Sequence, residues 1–281
     1  MVIDYHAHLP WDRGKDRYLV GDCLEDMDAN GIDVRMISAL DGYSIREQNE
    51  AVQRAVEAHP DRLIGAAVIN PRARDCYEEM ERVVASGAFR AIELDGAEHS
   101  YYPETQRPWL DPILELAQEH GLVVNCFTGW GPRSMPAQWA LFAQRFPRLP
   151  FVMLHMGTTD FGYGCIKMVP EHDNIYVETS CLYEFPIIRR ALAAIDHRKI
   201  LFGTHYPHKS THCSLHAFDL LDLDEGFVER HRHLNAKELL GLGETSPRSA
   251  RCSQRTPRSS STISTKAACW APTPRSASCS A

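Results

Sequence analysis

The feature of the sequence that most constrains its fold is an alternation of short apolar runs with amphipathic segments, which continues to about residue 243. Residues 34–38, VRMIS, have the composition of a buried strand, and residues 44–58, SIREQNEAVQRAVEA, follow with helical spacing and stop before Pro60. About eight strand candidates recur in this way, which is the number of strands in a TIM-type barrel. The sequence therefore predicts an α/β fold with parallel strands, a (β/α)8 TIM-type barrel, although an open doubly wound sheet also satisfies the alternation.

The first candidate site is the pair of histidines in DYHAH, residues 4–8, which follows the apolar start of the chain. Side chains two residues apart on a strand point to one face, about 7 Å apart, so His6 and His8 can bind one divalent metal ion. If this is the first barrel strand, its carboxyl end faces the mouth where the active sites of such barrels lie. Two surface histidines at a strand end are the alternative interpretation of this pair.

Two further histidines end apolar runs. His155 closes FVMLH before Gly157, and His205 follows KILFGT, where Pro207 prevents the strand from continuing. Both positions fit the mouth of a barrel. The alternatives are a core histidine bonded to the backbone for His155 and a structural turn residue for His205.

Longer segments around these histidines occur in one order along the chain: WLDPILELAQEHGLVVNCFTGW, FPRLPFVMLHMG, NIYVETS, KILFGTHYP and HLNAKELLGL. Together with IDYHAH, they resemble the amidohydrolase-related branch of the amidohydrolase superfamily from residue 3 to residue 242. This branch includes 2-amino-3-carboxymuconate semialdehyde decarboxylase, resorcylate-type decarboxylases and lactone hydrolases. The resemblance implies a metallo-dependent hydrolase-like barrel that hydrolyses or decarboxylates a small organic acid, ester or lactone.

The chain departs from the pattern of this branch at three strand ends. Phe127 stands in CFTG where the branch has a histidine, and His205 stands where it has an aspartate that binds metal and transfers protons. Glu93 stands in the fourth strand, which has no lysine. Asn125 shares the face of Phe127 and is a substitute donor, whereas Cys126 faces the helices. These departures also favour a second hypothesis, a catalytically inactive barrel that binds a ligand or acts as a scaffold.

The resemblance, adjusted for these departures, implies a metal site made of nitrogen ligands. His6, His8 and His205 would bind one ion, Zn²⁺ as first choice and Mn²⁺ as second, with His155 as a fourth ligand or an acid/base. Because the aspartate is absent, His155 or Glu93 has to accept the proton. The residues expected to act in catalysis are therefore His155, His205 and Glu93.

Loop residues complete the candidate site, because the loops of a barrel build its substrate pocket. The residues expected to contact the substrate are His99, Tyr102 and Trp130. His208, His212 and His216 are spaced by four, so they would line one face if the segment after Pro207 is helical. They could flank the mouth of the site or bind an adventitious metal ion, but such a spacing is more typical of a polar helix surface.

Charge is distributed unevenly along the 281 residues. Beyond Glu244 the chain has six of the 30 Lys and Arg residues and none of the 37 Asp and Glu residues, so the preceding part is strongly acidic. An acidic body argues against nucleic acid as a partner, since phosphate binding needs a basic surface. We expect a barrel over residues 1–243 and a tail over 244–281 that is either disordered or the product of a shifted reading frame.

The cellular setting is predicted from what the sequence lacks. No apolar run approaches the roughly 20 residues that span a bilayer, and MVIDYHAHLP has no secretory pattern. The nine cysteines are scattered without a CxxC pair, as expected of reduced thiols. We therefore expect a cytoplasmic protein whose partner is a small-molecule substrate, with neither nucleic acid nor membrane. A homodimer is compatible with these features.

Overall fold

Eight parallel strands pair in chain order, and a helix separates each strand from the next. The computed structural model describes residues 1–243, so the tail predicted for 244–281 lies outside the described residues. The strands are β1 (Ile3–His8), β2 (Val34–Ser38), β3 (Leu63–Val68), β4 (Phe89–Leu94), β5 (Val123–Phe127), β6 (Phe151–Leu154), β7 (Ile175–Glu178) and β8 (Ile200–Leu201).

Backbone hydrogen bonds close the sheet between its first and last strands. The N–H of Tyr5 in β1 donates to the carbonyl of Phe202 at 2.9 Å, and the N–H of His205 donates to the carbonyl of His6 at 2.8 Å. An open doubly wound sheet leaves its two edge strands apart, so this closure distinguishes the two predicted architectures. The chain forms a (β/α)8 barrel, which confirms the predicted fold class.

The helices are α1 (Val20–Asn30), α2 (Ile45–Ala58), α3 (Cys76–Ser86), α4 (Arg107–His120), α5 (Pro136–Arg145), α6 (Thr158–Met168), α7 (Phe185–Ala194), α8 (Thr211–Asp219), α9 (Glu225–Glu229) and α10 (Asn235–Leu240). Local sequence sets their ends. The Ser44 hydroxyl caps α2 by accepting the N–H of Glu47 at 3.3 Å. Gly121 ends α4 with φ 64°, a conformation that glycine adopts without steric cost. Within residues 1–243, no helix is long and apolar enough to cross a bilayer.

Two apolar clusters hold the barrel together. The larger one lies between the strands and the helices, and the smaller one fills the barrel interior with side chains such as Tyr5, Met36 and Val152. Ala236 and Leu240 of α10 join the interior cluster, so this last helix packs against the barrel. Buried apolar area of this kind is the main stabilising contribution to a fold, and it holds the strand ends in fixed positions.

Candidate metal centre

The strand β1 carries His6 and His8 into the barrel. Both residues are 2% exposed, and their ring centroids lie 4.8 Å apart. Tyr5 also points inward, since its hydroxyl donates to Asn125 at 2.9 Å. Strict alternation would send Tyr5 and His6 to opposite faces, but the pairing of β1 with β2 shifts register between Asp4 and Ala7. This shift inserts one extra residue into β1, as a β-bulge does, and it turns His6 toward the interior.

His155 and His205 enter the same space from the segments just beyond β6 and β8. Both have a left-handed backbone, with φ of 61° and 57°, a region that few residues other than glycine occupy and where histidine is enriched. The His155 ring centroid lies 4.9 Å from that of His6 and 4.6 Å from that of His205. The His8 and His205 centroids are 5.1 Å apart. The structure therefore brings all four histidines predicted from the sequence into one cluster.

Hydroxyl groups hold two of these rings in place through Nδ1. His8 Nδ1 lies 2.7 Å from the Ser38 hydroxyl, and His155 Nδ1 lies 2.7 Å from the Ser180 hydroxyl. Ser180 donates its hydroxyl proton to Glu178 Oε2 at 2.7 Å. The Ser180 oxygen must then accept from His155 Nδ1–H. This places the free lone pair of His155 on Nε2, the atom that can bind a metal.

Glu178, at the end of β7, organises the floor of the cluster. Its Oε2 accepts the backbone N–H of His155 at 3.1 Å and lies 3.4 Å from His6 Nδ1. Its Oε1 accepts the backbone N–H of Ser180. A side chain at Gly203 would collide with this carboxylate, so glycine is needed there for close approach. On the other side, Glu93 Oε1 lies 3.9 Å from His6 Nε2.

The donor atoms fit a metal ion. The Nε2 atoms of His6, His8 and His155 are buried and have no hydrogen-bond partner, although buried polar groups are normally paired. Four overlapping groups have their donor atoms within 4.8 Å of one another: His6, His8 and Glu93; His6, His155 and Glu178; His155, Cys181 and His205; and His8, His205 and His208. Imidazole and carboxylate donors at such spacing can bind a divalent cation.

Burial controls the charge of the cluster. It lowers the pKa of His8 and of His155 well below the usual value, and the neighbouring histidines lower both further. Burial and the same neighbours lower the pKa of His205 to about 2. For His6, burial lowers the pKa but Glu178 and Glu93 raise it more, so it lies above its usual value. Burial raises the pKa of Glu93. Three imidazoles are thus neutral at pH 7, which is the form that binds metals.

Phe127 faces the cluster and offers no donor. Its ring centroid lies 5.3 Å from that of His155 and 5.6 Å from that of Trp130, which itself lies 5.2 Å from His155. Asn125 points into the barrel as predicted, but its oxygen already accepts the Tyr5 hydroxyl. Cys126 lies in the cluster between strands and helices. On this side, the site has an aromatic wall in place of an imidazole ligand.

The predicted substrate residues occupy different positions. Trp130 is 39% exposed and lies against His155, so it lines the mouth. Tyr102 packs under the guanidinium of Arg133, with 5.6 Å from Cζ to the ring centroid. His99 lies in the loop after β4, where its backbone N–H donates to the carbonyl of Asp95. Substrate contact by His99 and Tyr102 stays a prediction.

Sequence reasoning did not identify Glu178, Ser180 or Cys181 as site residues. Glu178 ends a barrel strand in NIYVETS, and the rule that strand ends carry site residues would have found it. His208 was expected to share a helix face with His212 and His216, which is wrong. The helix α8 begins at Thr211, because the Ser210 hydroxyl caps it by accepting the N–H of Cys213. His208 lies in the preceding turn, with its ring centroid 5.4 Å from that of His8.

A closed barrel with a histidine cluster at the carboxyl ends of its strands defines the class of metallo-dependent hydrolase-like TIM barrels. The sequence from residue 3 to residue 242 matches the family model described as Amidohydrolase. The chain belongs to this amidohydrolase family, and the resemblance noted from its motifs is confirmed. No curated protein sequence matches the chain significantly.

Three solved structures illustrate the similarity of the fold. An uncharacterised TIM-barrel protein from Bordetella bronchiseptica has a TM-score of 0.72 and 20% identity, over 85% of this chain and 98% of that one. A 4-oxalomesaconate hydratase from Rhodopseudomonas palustris has a TM-score of 0.67 and 20% identity, over 90% and 97%. A 5-carboxyvanillate decarboxylase from Novosphingobium aromaticivorans, complexed with manganese, has a TM-score of 0.67 and 15% identity, over 86% and 96%. At these identities the likeness concerns the fold.

Proposed function

We propose that the protein is a metal-dependent enzyme that decarboxylates or hydrolyses a small organic acid, ester or lactone. The main support for this proposal is that the Nε2 atoms of His6, His8 and His155 are buried and have no hydrogen-bond partner. Leaving a buried polar atom unpaired costs about 1–3 kcal/mol. A cation that accepts these lone pairs offsets that cost, and membership of the amidohydrolase family supports the same conclusion.

Zinc is the first candidate for the metal and manganese the second. Neutral imidazoles suit Zn²⁺, whereas Mn²⁺ prefers oxygen ligands such as those that Glu93 and Glu178 offer. The manganese in the decarboxylase of similar fold supports the second choice. A divalent ion bound here would act as a Lewis acid toward the oxygens of the substrate.

Decarboxylation of an aromatic acid is the reaction that the site favours. The rings of Phe127 and Trp130 are stacked at an interplanar angle of 26° and form a flat wall beside His155. A planar substrate can lie against such a wall, because aromatic pairs stabilise each other in offset stacking. Hydrolysis of a lactone or ester is the second reaction, since the same cluster could activate a water.

Glu93 is the residue best placed to transfer the proton. Its Oε2 is buried without a partner, whereas His155 is bonded at Nδ1 and turns Nε2 to the cluster. In decarboxylation, the bond between the ring carbon and the carboxylate carbon breaks, and carbon dioxide leaves. The electron pair stays on the ring carbon, which takes the proton of the Glu93 carboxylic acid. A proton taken up from the bulk solvent then restores the acid form of Glu93.

Elemental analysis of the purified protein tests the metal. We expect about one Zn²⁺ or Mn²⁺ per chain. The double variant His6→Ala, His8→Ala should lose it, while His212→Ala, which removes an exposed histidine, should not. An unchanged metal content in the double variant contradicts the proposal.

Carbon dioxide release from a panel of aromatic carboxylic acids, with lactones in parallel, tests the reaction. Glu93→Gln should lower kcat by about 100-fold or more at unchanged metal content, since general acid catalysis contributes 10²–10⁴-fold. Glu98→Gln, which changes an exposed carboxylate of the following loop, is the matched control. Loss of metal together with activity would make Glu93 a ligand and contradict its role as the acid.

A catalytically inactive barrel is the second candidate, favoured by Phe127 and His205. The double variant Phe127→His, His205→Asp restores the ligand types that the resemblance implies. Activity that appears only in this double variant would support loss of function in the parent chain. Activity in the parent would rule that candidate out.

A further inference from the structure

His208 lies at the outer edge of the histidine cluster. It is an exposed residue in the turn before α8. Its ring centroid lies 5.1 Å from that of His205 and 5.4 Å from that of His8. One donor atom from each of His8, His205 and His208 lies within 4.8 Å of the others. Three imidazoles therefore converge on one point at the mouth side of the cluster.

The hydrogen-bond partners of two of these rings determine which of their nitrogen atoms remain to bind a cation. His8 Nδ1 is bonded to Ser38 at 2.7 Å, so its Nε2, buried and without a partner, is the atom left for a cation. His205 Nδ1 lies 3.1 Å from the sulfur of Cys181, which leaves Nε2 of this ring for the same purpose. Second partners of this kind fix ring orientation in metal sites.

Strand β5 contributes a phenyl ring to the cluster where an imidazole could stand. Phe127 ends this strand, and its ring packs against His155 and Trp130. A phenyl ring cannot bind the ion, so an ion beside Phe127 would lose one ligand. On the mouth side, His208 supplies an imidazole from the loop after β8.

We propose that His208 is a further metal ligand of this protein, which joins the buried histidine cluster through its neighbours His8 and His205. The inference rests on the proposed metal dependence and names one further ligand of the ion. His208 would add one imidazole to those of the buried cluster, and because it is exposed it lies on the solvent side of that cluster.

Metal titration of the metal-free protein tests this assignment. Zn²⁺ affinity is measured in competition with a chelator, and Co²⁺ is used as a spectroscopic probe of the ligand set. His208→Ala should weaken Zn²⁺ binding by about 100-fold or more, above the losses of 10–100-fold that outer partners cause, and should change the Co²⁺ absorption spectrum. His212→Ala makes the same change at an exposed histidine of α8 and should alter neither.

A second variant replaces His208 with a different metal-binding side chain, so the test does not depend only on the loss of the imidazole. His208→Cys should retain Zn²⁺ binding and add a sulfur-to-cobalt charge-transfer band, because a thiolate then occupies the imidazole position. An unchanged Co²⁺ spectrum in His208→Ala, or the absence of the new band in a folded His208→Cys protein that binds Co²⁺, overturns the assignment. A wild-type protein that binds neither ion overturns the proposed function as well, so the two failures are distinguishable.

Discussion

The carboxylate of Asp4 accepts two hydrogen bonds from Thr204, one from the backbone N–H at 2.9 Å and one from the hydroxyl at 2.6 Å. It also accepts the Nε–H of Arg35 at 2.7 Å. All three residues are buried. Burial raises the pKa of Asp4, although Arg35 and Thr204 act in the opposite direction. This contact joins the first strand of the barrel to the segment after the last one, directly beside His6 and His205.

Thr204→Val should therefore destabilise the protein. The substitution keeps the shape of the side chain but removes a hydrogen bond to a buried charged group, which contributes about 1.5–3 kcal/mol. The free energy of unfolding from urea denaturation should fall by that amount. Thr105→Val removes a hydroxyl that bonds the Tyr102 carbonyl in an exposed 3-10 turn, and should change the free energy of unfolding by less than about 0.5 kcal/mol. Equal losses in both variants would contradict the structural role of the Asp4–Thr204 contact.

Ser180→Ala should weaken metal binding without changing the ligand atoms. The Ser180 hydroxyl accepts from His155 and donates to Glu178, so its loss frees the imidazole to rotate. Removal of such an outer partner costs about 10–100-fold in metal affinity. Zn²⁺ competition measures the loss, and the Co²⁺ spectrum should keep its wild-type form. Ser86→Ala, which removes a hydroxyl bonded to Val83 at the end of α3, should leave the affinity unchanged. Full affinity in Ser180→Ala would show that His155 needs no support from this hydroxyl.

Gly203→Ala should damage the site through a single added methyl group. The new Cβ would overlap the Glu178 carboxylate, which is held by the N–H groups of His155 and Ser180 and cannot move freely. We expect a loss of about 1–3 kcal/mol in unfolding free energy, as for other overpacked sites. Gly21→Ala places the same methyl group in open space on α1 and should stabilise the protein by about 0.5–1 kcal/mol. Wild-type stability in Gly203→Ala would mean that Glu178 is free to adjust.

The sequence predicts the barrel well because its pattern is regular. The segment 44–58 has helical spacing, and its ends are set by residues that are neighbours in the sequence. The helix α2 (Ile45–Ala58) matches that expectation. The clustering of the four histidines is also predictable, since each follows an apolar strand and strand ends meet at one edge, while their role as metal ligands stays a prediction. The order of the elements and the position of the mouth are therefore encoded by local pattern.

The remaining features depend on contacts between distant segments. The register shift that turns His6 inward arises from pairing with β2, so the alternation within β1 alone cannot show it. The spacing of His208, His212 and His216 suggested one helix face, but the cap at Ser210 starts α8 after His208. The support that Ser180 gives to His155 joins residues from two strand ends that are adjacent only in the closed barrel.

A final prediction concerns stability at acidic pH and a histidine outside the metal cluster. His231 is 1% exposed, packs against Phe202, Phe218 and Phe227, and bonds Thr179 at 2.9 Å. Burial and then Arg232 lower its pKa from 6.5 to about 3. Between these values the unfolded chain binds a proton that the folded chain does not, so the stability falls as the pH decreases below 6.5.

At pH 5 this difference amounts to about 2 kcal/mol, since each pKa unit corresponds to about 1.4 kcal/mol. His231→Gln has no ionisable group, so its loss of unfolding free energy between pH 7 and pH 5 should be about 2 kcal/mol smaller than in the wild type. Urea denaturation at both pH values measures the difference. His120→Gln, at the exposed end of α4, should keep the wild-type pH dependence. If His231→Gln keeps it as well, the buried imidazole does not cause the acid sensitivity.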